Sequence, residues 1–239
     1  MPQPPQGDDR EYRVDLHNHT SFSPDGDLCP RILLELARSR GIDCIGVTDH
    51  DDLAGARDCL ALAADDPTLP RVVPGIEVHT REGEIIGLFV ERAIRPGRPL
   101  ADTAAEIRSQ GGVVYLPHPF DTSRRGTVHR ESLSAAAALA DIIEVRNGRS
   151  TRPSSERRAG ALAREVRAAA AAGSDAHFSG EVGRSWVGVP RMPTREDLVE
   201  VLRLGRFAAE PAPWRYVPPW YYLLRSAAAK AVGRRRGRA

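Results

Sequence analysis

Val14-Asp-Leu-His-Asn-His-Thr20 decides how the rest of the chain is read. Successive side chains of a strand point to opposite faces, so an apolar strand ending in His17-Asn-His19 delivers two imidazoles to one point. That is a metal-ligand arrangement, and it does not stand alone. Asp175-Ala-His177 repeats the spacing, and His50 (Thr-Asp-His), Glu77 (Gly-Ile-Glu) and His118 (Pro-His-Pro) each follow a short run rich in Val, Ile or Leu.

Outward from this stretch, strand and helix patterns alternate. Strands are expected at Tyr12–His17, Asp43–Thr48, Arg71–Val78, Glu84–Val90, Gly112–Leu116 and Asp141–Val145, with a strand or turn at Gly173–His177. Helices are expected from Pro30 to Arg40 with Gly41 as the stop, from Leu53 to Ala64, and over 100–110, 130–140 and the Ala-rich 154–171. A last helix runs from Thr194, read as an N-cap, to Leu204. The strands around Arg81-Glu-Gly83 read as a hairpin-like excursion, and the Ala runs 135–138 and 168–172 read as helix-forming. The βα alternation implies a mostly parallel sheet with helices outside it. Because the polar candidates all fall at C-terminal strand ends, a closed βα barrel would gather them at one mouth, whereas an open sheet would spread them along a line. A cluster of imidazoles and carboxylates gathered there is better explained by a multinuclear metal site than by separate core residues.

Composition sets the frame. The 239 residues suffice for one α/β barrel or two small domains. The expected organisation is a disordered leader over 1–11, a barrel over 12–210, and an aromatic and basic tail over 211–239. Residues 1–210 hold 27 Lys and Arg against 32 Asp and Glu, while the tail has seven basic residues and no acid. An acidic body disfavours tight nonspecific duplex binding, which draws its affinity from Lys and Arg. No run approaches the roughly 20 apolar residues of a membrane span, and the opening residues have no basic and apolar signal pattern. Cys29, Cys44 and Cys59 lack zinc-knuckle spacing and read as buried small residues of a reducing compartment, so a cytoplasmic location is expected.

His17-Asn-His19, Pro24-Asp25-Gly26, Thr48-Asp49-His50, Gly75-Ile76-Glu77, Pro117-His118-Pro119 and Gly173-Ser174-Asp175-Ala176-His177 occur in that order. Together they resemble the ordered motifs of the PHP (polymerase and histidinol phosphatase) family over residues 12–205. The resemblance implies a distorted (β/α)7 barrel whose two or three divalent ions, Zn, Mn or Fe, serve phosphoester hydrolysis. Carried over by position, it implies that His17, His19, Glu77 and Asp175 hold a first ion. Glu77 bridges to a second that His118 also binds, and Asp25, His50 and His177 hold a third. Glu77 and Asp175 then act catalytically through a water activated by the ions.

One position departs from the pattern. Many members of that family have a histidine ahead of an Ile-Leu-Gly run where Glu84-Ile-Ile-Gly87 stands here. Glutamate is a harder donor than imidazole, so the second ion is expected to be Mn²⁺ or Fe²⁺ more readily than Zn²⁺, or to be held weakly. Asp49 reads as a hydrogen-bonding neighbour of the site. Candidate contacts for a substrate phosphate are Arg124, Arg125 and Arg184, with solvated loop arginines the plain alternative, and Asn147 is a candidate substrate contact whose plain alternative is turning the chain. His79 shares a strand face with Glu77 but lies farther toward the turn, and His129 begins a helix, so both are discounted.

The expected activity is that of a phosphatase on a small phosphorylated metabolite or nucleotide. A single-strand exonuclease or oligonucleotide phosphodiesterase is the second reading, and a noncatalytic metal-stabilised binding module the third. The short interval between Glu77 and His118 leaves no room for an inserted domain. Trp214, Tyr216, Trp220, Tyr221 and Tyr222 beside the basic tail suit packing on the barrel, with contact to a membrane or to nucleic acid as the alternative.

Overall fold

The computed structural model describes residues 10–122, 126–150 and 152–207. The expectations for the tail and for most of the leader lie outside those residues, as do Arg124 and Arg125.

In chain order the elements are β1 (Tyr12–Asp15), α1 (Pro30–Ser39), β2 (Cys44–Val47), α2 (Ala54–Asp65), β3 (Arg71–Thr80), β4 (Gly83–Leu88) and α3 (Leu100–Ser109). Then follow β5 (Val113–Leu116), α4 (Leu133–Leu139), β6 (Ile142–Asn147), α5 (Pro153–Val166), β7 (Ala169–Gly173), β8 (Val187–Val189), α6 (Leu198–Arg203) and β9 (Arg206–Phe207). The sheet runs β7-β6-β5-β4-β3-β2-β1-β8-β9. Strand β1 divides its free edge: Tyr12–Val14 pairs antiparallel with β8, and the chain beyond Asp15 turns to β7. Leu16 N donates to Ala172 O at 3.1 Å, Asp175 N to His17 O at 2.6 Å and His19 N to Ala176 O at 2.8 Å. These bonds bring β1 back to β7, giving a nearly closed ring of seven staves, the distorted (β/α)7 barrel. None of its described helices is long and apolar enough to cross a membrane.

Apolar side chains fill the barrel and the helix–sheet layer. Val14, Leu16, Ile86, Leu88, Tyr115 and Ile142 pack in one cluster, and Ile76, Val78, Ile85, Leu116 and Ile143 pack against the face of α3 through Ala104 and Ile107 in another. Burial of such side chains, about 1.5–3 kcal/mol each, is the main term holding the layers together.

Within the ring, β1–β3 and β5–β7 are parallel blocks, as expected, while the expected hairpin excursion makes β4 run against both its neighbours. This hairpin closes with Thr80 opposite Gly83. Several expectations are corrected. The Ala-rich helix ends at Val166, capped by Arg167 in the left-handed region at φ 58°, and Ala169–Gly173 forms β7 instead. Tertiary packing overrides alanine's helix propensity here. Strand β7 lies so close to β1 that a β-carbon on Gly173 would collide with the His17 side chain, and small residues permit that approach. Thr194 is not an N-cap; Asp197 precedes α6 and its Oδ1 accepts from Thr194 N at 2.7 Å. Helix α4 begins at Leu133, not near Arg130, and of the three cysteines expected to be buried Cys29 is exposed, because it stands at the N-cap position ahead of α1. Strands β8 and β9, of three and two residues, were too short for any periodicity to mark.

Candidate metal centre

Strands at the barrel mouth and the turns just past them supply eight of the nine side chains, and the loop between β1 and α1 supplies Asp25. His17 and His19 stand just past β1, His50 just past β2, Glu77 within β3, Glu84 in β4, His118 past β5 and Asp175 and His177 past β7. Parallel bridges His50↔Glu77 and Asn18↔Ala176 set neighbouring ends level. Asp51, His118 and Asp175 adopt positive φ of 56°, 27° and 52°. Backbone in this region costs about 1–3 kcal/mol per residue and is kept where surrounding structure imposes it.

His17, His19 and Glu77 are 0–1% exposed and Asp175 is 1% exposed, so this corner of the mouth is shut from solvent. His17 Nε2 lies 3.1 Å from His19 Nε2 and 3.3 Å from Glu77 Oε2. Asp175 Oδ1 lies 3.8 Å from the first imidazole and 3.6 Å from the second. On its other side, Glu77 Oε1 is 3.3 Å from His118 Nε2, which is 3.7 Å from Glu84 Oε2. A third group forms around Asp25, with His177 Nε2 at 3.3 Å from Oδ2 and His50 Nε2 at 3.8 Å from Oδ1. All nine residues expected from the sequence therefore meet in one continuous cluster.

Hydrogen bonds behind the cluster aim the rings. His17 Nδ1 is 3.1 Å from Glu144 Oε1, His19 Nδ1 is 3.0 Å from Ser23 Oγ, and His177 Nδ1 is 3.0 Å from the Asp175 carbonyl. With a proton on Nδ1 of His17 and of His19, donated to Glu144 and Ser23, their Nε2 lone pairs face inward. Ser23 Oγ in turn donates to Asp49 Oδ1 at 2.7 Å, and Asp49 also receives the Thr20 hydroxyl at 2.7 Å. Asp49 is thus a hydrogen-bonding anchor of the loop, as expected. Glu144 further accepts from Tyr115 Oη, His118 N and Asn147 Nδ2 at 2.8–2.9 Å.

Lone pairs of His17 and His19 at 3.1 Å, with two carboxylate oxygens beside them, need positive charge between them. Burial works to lower the His17 imidazole, but the Glu77 and Glu144 charges outweigh it and hold it up to about 10. Burial and the neighbouring His177 and His50 keep His19 well below its ordinary value. Burial would raise Glu77, yet His17 and His50 hold it well below the usual carboxylate range. A cation satisfies the same demand. Tetrahedral Zn-type ligation at about 2.0–2.2 Å puts donor atoms about 3.3–3.6 Å apart, close to the spacings among His17, His19, Glu77 and Asp175. Glu77 Oε1, Asp25 Oδ1 and His118 Nδ1 are also buried without a hydrogen-bond partner among the described residues. The donor set fits divalent ions.

The candidates for substrate contact divide. Asn147 Nδ2 donates to Glu144 Oε2 at 2.9 Å and to Asp175 Oδ2 at 3.0 Å, and its Oδ1 accepts from Arg149 N at 2.9 Å. It stands behind the cluster and braces it. Arg184 packs along Gly148 and Gly180, and its charge is felt by Arg40; no hydrogen bond or ion pair joins it to the cluster among the described residues. Arg149, passed over in the sequence, reaches in: its Nη1 is 3.0 Å from His177 Nδ1 and 3.7 Å from Asp175 Oδ1, with Nε 3.8 Å from Glu181 Oε1. Glu144 was also missed, although a single carboxylate inside Ile142-Ile-Glu-Val145 signals a buried charge with a dedicated partner.

A seven-stave βα barrel with a histidine and carboxylate cluster at its mouth defines a class of metal-dependent hydrolases. The PHP domain profile matches residues 15–114, and the PHP-associated profile matches residues 153–207. The chain belongs to the PHP family. An uncharacterised protein of Methanocaldococcus jannaschii is 36% identical over 118 residues, covering 45% of this chain and 68% of its own. A second from that organism is 32% identical over 178 residues, covering 73% of this chain and 69% of its own. The Bacteroides vulgatus structure described as a two-domain protein containing predicted PHP-like metal-dependent phosphoesterase superposes with a TM-score of 0.64 at 20% identity, over 85% of this chain and 66% of that one. PsfC of Pseudomonas syringae superposes with a TM-score of 0.64 at 17% identity, over 93% and 99% of the two chains.

Proposed function

We propose that this PHP-family hydrolase holds two or three divalent ions, drawn from Zn, Mn and Fe, and cleaves the phosphoester of a small phosphorylated metabolite or nucleotide. The observation that carries the reading is Glu77, whose Oε2 faces His17 and His19 while its Oε1 faces His118. One carboxylate turned to two donor sets is what a bridge between ions requires. His17, His19, Glu77 and Asp175 would hold the first ion; Glu77, His118 and Glu84 the second; and Asp25, His50 and His177 the third. Such ions, when bound, lower the pKa of water toward neutrality and offset the charge of phosphoryl oxygens.

The protein's own groups supply the rest. Glu144 and Ser23 fix the His17 and His19 tautomers, and Asn147 braces Asp175. Arg149 offers the planar donor fork that suits phosphate, with Glu181 at its Nε. A screen of phosphorylated metabolites, nucleotides and short single-stranded oligonucleotides, run on the chelator-stripped chain reloaded with Mn²⁺, Zn²⁺ or Fe²⁺, tests the reading. Ion-dependent turnover of a monoester supports it. Turnover of oligonucleotides alone would move the assignment to an exonuclease or phosphodiesterase, and ions bound without turnover to a binding module.

A further inference from the structure

Glu84 and His79 are direct cross-strand partners in the β3–β4 hairpin. His79 Nε2 lies 2.9 Å from Glu84 Oε1, and its Nδ1 lies 2.9 Å from Asp51 Oδ2. Asp51 grips the residue twice, because its Oδ1 also accepts from the His79 backbone N–H at 2.9 Å. Asp51 is itself fixed by its own N–H, which donates to Glu77 O at 2.9 Å. From the opposite side Glu84 N donates to Gly126 O at 2.7 Å, and a β-carbon on Gly126 would strike the Glu84 carboxylate. Glu84 is therefore held on one oxygen and covered, and Oε2 is the atom left facing His118. Each ring nitrogen of His79 thus faces one carboxylate oxygen, Asp51 behind it and Glu84 in front.

We propose that His79 is a positioning residue, which with Asp51 behind it orients Glu84 so that a glutamate serves where imidazole would otherwise complete the second ion site. The proposal rests on the polynuclear reading above. It makes the Asp51–His79–Glu84 row a unit peculiar to having glutamate at 84: a short, planar imidazole at that position would need no clamp from across the hairpin.

The test is a double-mutant cycle read by calorimetric titration of Mn²⁺ into the chelator-stripped full chain, giving stoichiometry and affinity without any assay of turnover. His79→Ala and His79→Gln should each weaken the second ion about 10–100-fold, the usual effect of removing a partner behind a metal ligand, and Asp51→Asn should weaken it less. In a Glu84→His background, His79→Ala should change the affinity by no more than about twofold. Thermal melting of the stripped proteins checks folding, and His79, half exposed at the side chain, is not part of the core. Equal weakening in both backgrounds would make His79 a direct ligand and overturn the proposal. A parent that binds two or more ions while His79→Ala matches it would overturn the proposal alone. A parent that binds no ion would overturn it together with the reading on which it rests.

Discussion

Glu144 Oε1 stands 3.1 Å from Nδ1 of His17, a residue 127 positions earlier in the chain, and both side chains are fully buried. The same oxygen receives the Tyr115 hydroxyl at 2.9 Å. The carboxylate thus fixes the imidazole tautomer from behind and adds negative charge to a corner that already holds Glu77 and Asp175, which favours a cation there.

Glu144→Gln tests that role. The amide presents a donor as readily as an acceptor and carries no charge, so the variant should fold yet bind its first ion about 10–100-fold more weakly. Competition with a fluorescent chelator measures this. Parent-like affinity would mean that His17 needs no partner to present Nε2.

Removal of the bridge is the harsher perturbation. Glu77→Ala should empty more than one ion position and abolish turnover, because its two oxygens face different donor sets. Elemental analysis of the variant beside the parent reads this directly, and loss of a single ion would refute the bridge.

Arg149 and Arg184 make a matched pair of probes. Arg149→Ala should leave ion content intact and lower kcat/KM about 10–100-fold, chiefly through KM, as expected for one charged hydrogen bond to substrate worth about 1.5–3 kcal/mol. Arg184→Ala should stay within about twofold of the parent. Reversal of the two results would move the phosphate to the Arg184 side of the mouth.

Asp15 lies under the cluster, fully buried, and accepts from Asn18 Nδ2 and Ser174 N at 2.9 Å. Burial, opposed by these hydrogen bonds, raises its pKa from 3.8 to about 6. A carboxyl whose folded pKa is raised favours the folded state while it keeps its proton, so its contribution is complete below pH 3.8 and lost as pH rises through 6. The ion-free parent should lose roughly 2 kcal/mol between pH 4.5 and 7.5 relative to Asp15→Asn. Urea midpoints of both proteins at pH 4.5 and 7.5 give the difference, and a gap independent of pH would contradict the shift.

Much of this candidate site was legible because its imidazoles and carboxylates follow strand periodicity and lie in short motifs. His17, His19, His50, Glu77, His118, Asp175 and His177 each end or follow an apolar run, so order and spacing placed them at one mouth. The groups behind them were not legible in the same way. Glu144 and Arg149 act through contacts across 127 and 28 residues, pairings that belong to the closed ring, and Ser23, though only four residues from His19, lies in a loop with no periodicity to mark it. The Ala run of β7 misled for a related reason. Its strand state comes from fitting beside His17 and β6, and no intrinsic preference of alanine announces that.

Phosphate release by the chain after chelation and reloading tests the central claim most directly. The stripped protein should be inactive, and two or more equivalents of Mn²⁺, Zn²⁺ or Fe²⁺ should restore ion-dependent hydrolysis of a phosphorylated small molecule. Ions that bind at the expected stoichiometry yet leave every phosphoester intact, or hydrolysis that persists unchanged in the stripped protein, would contradict it.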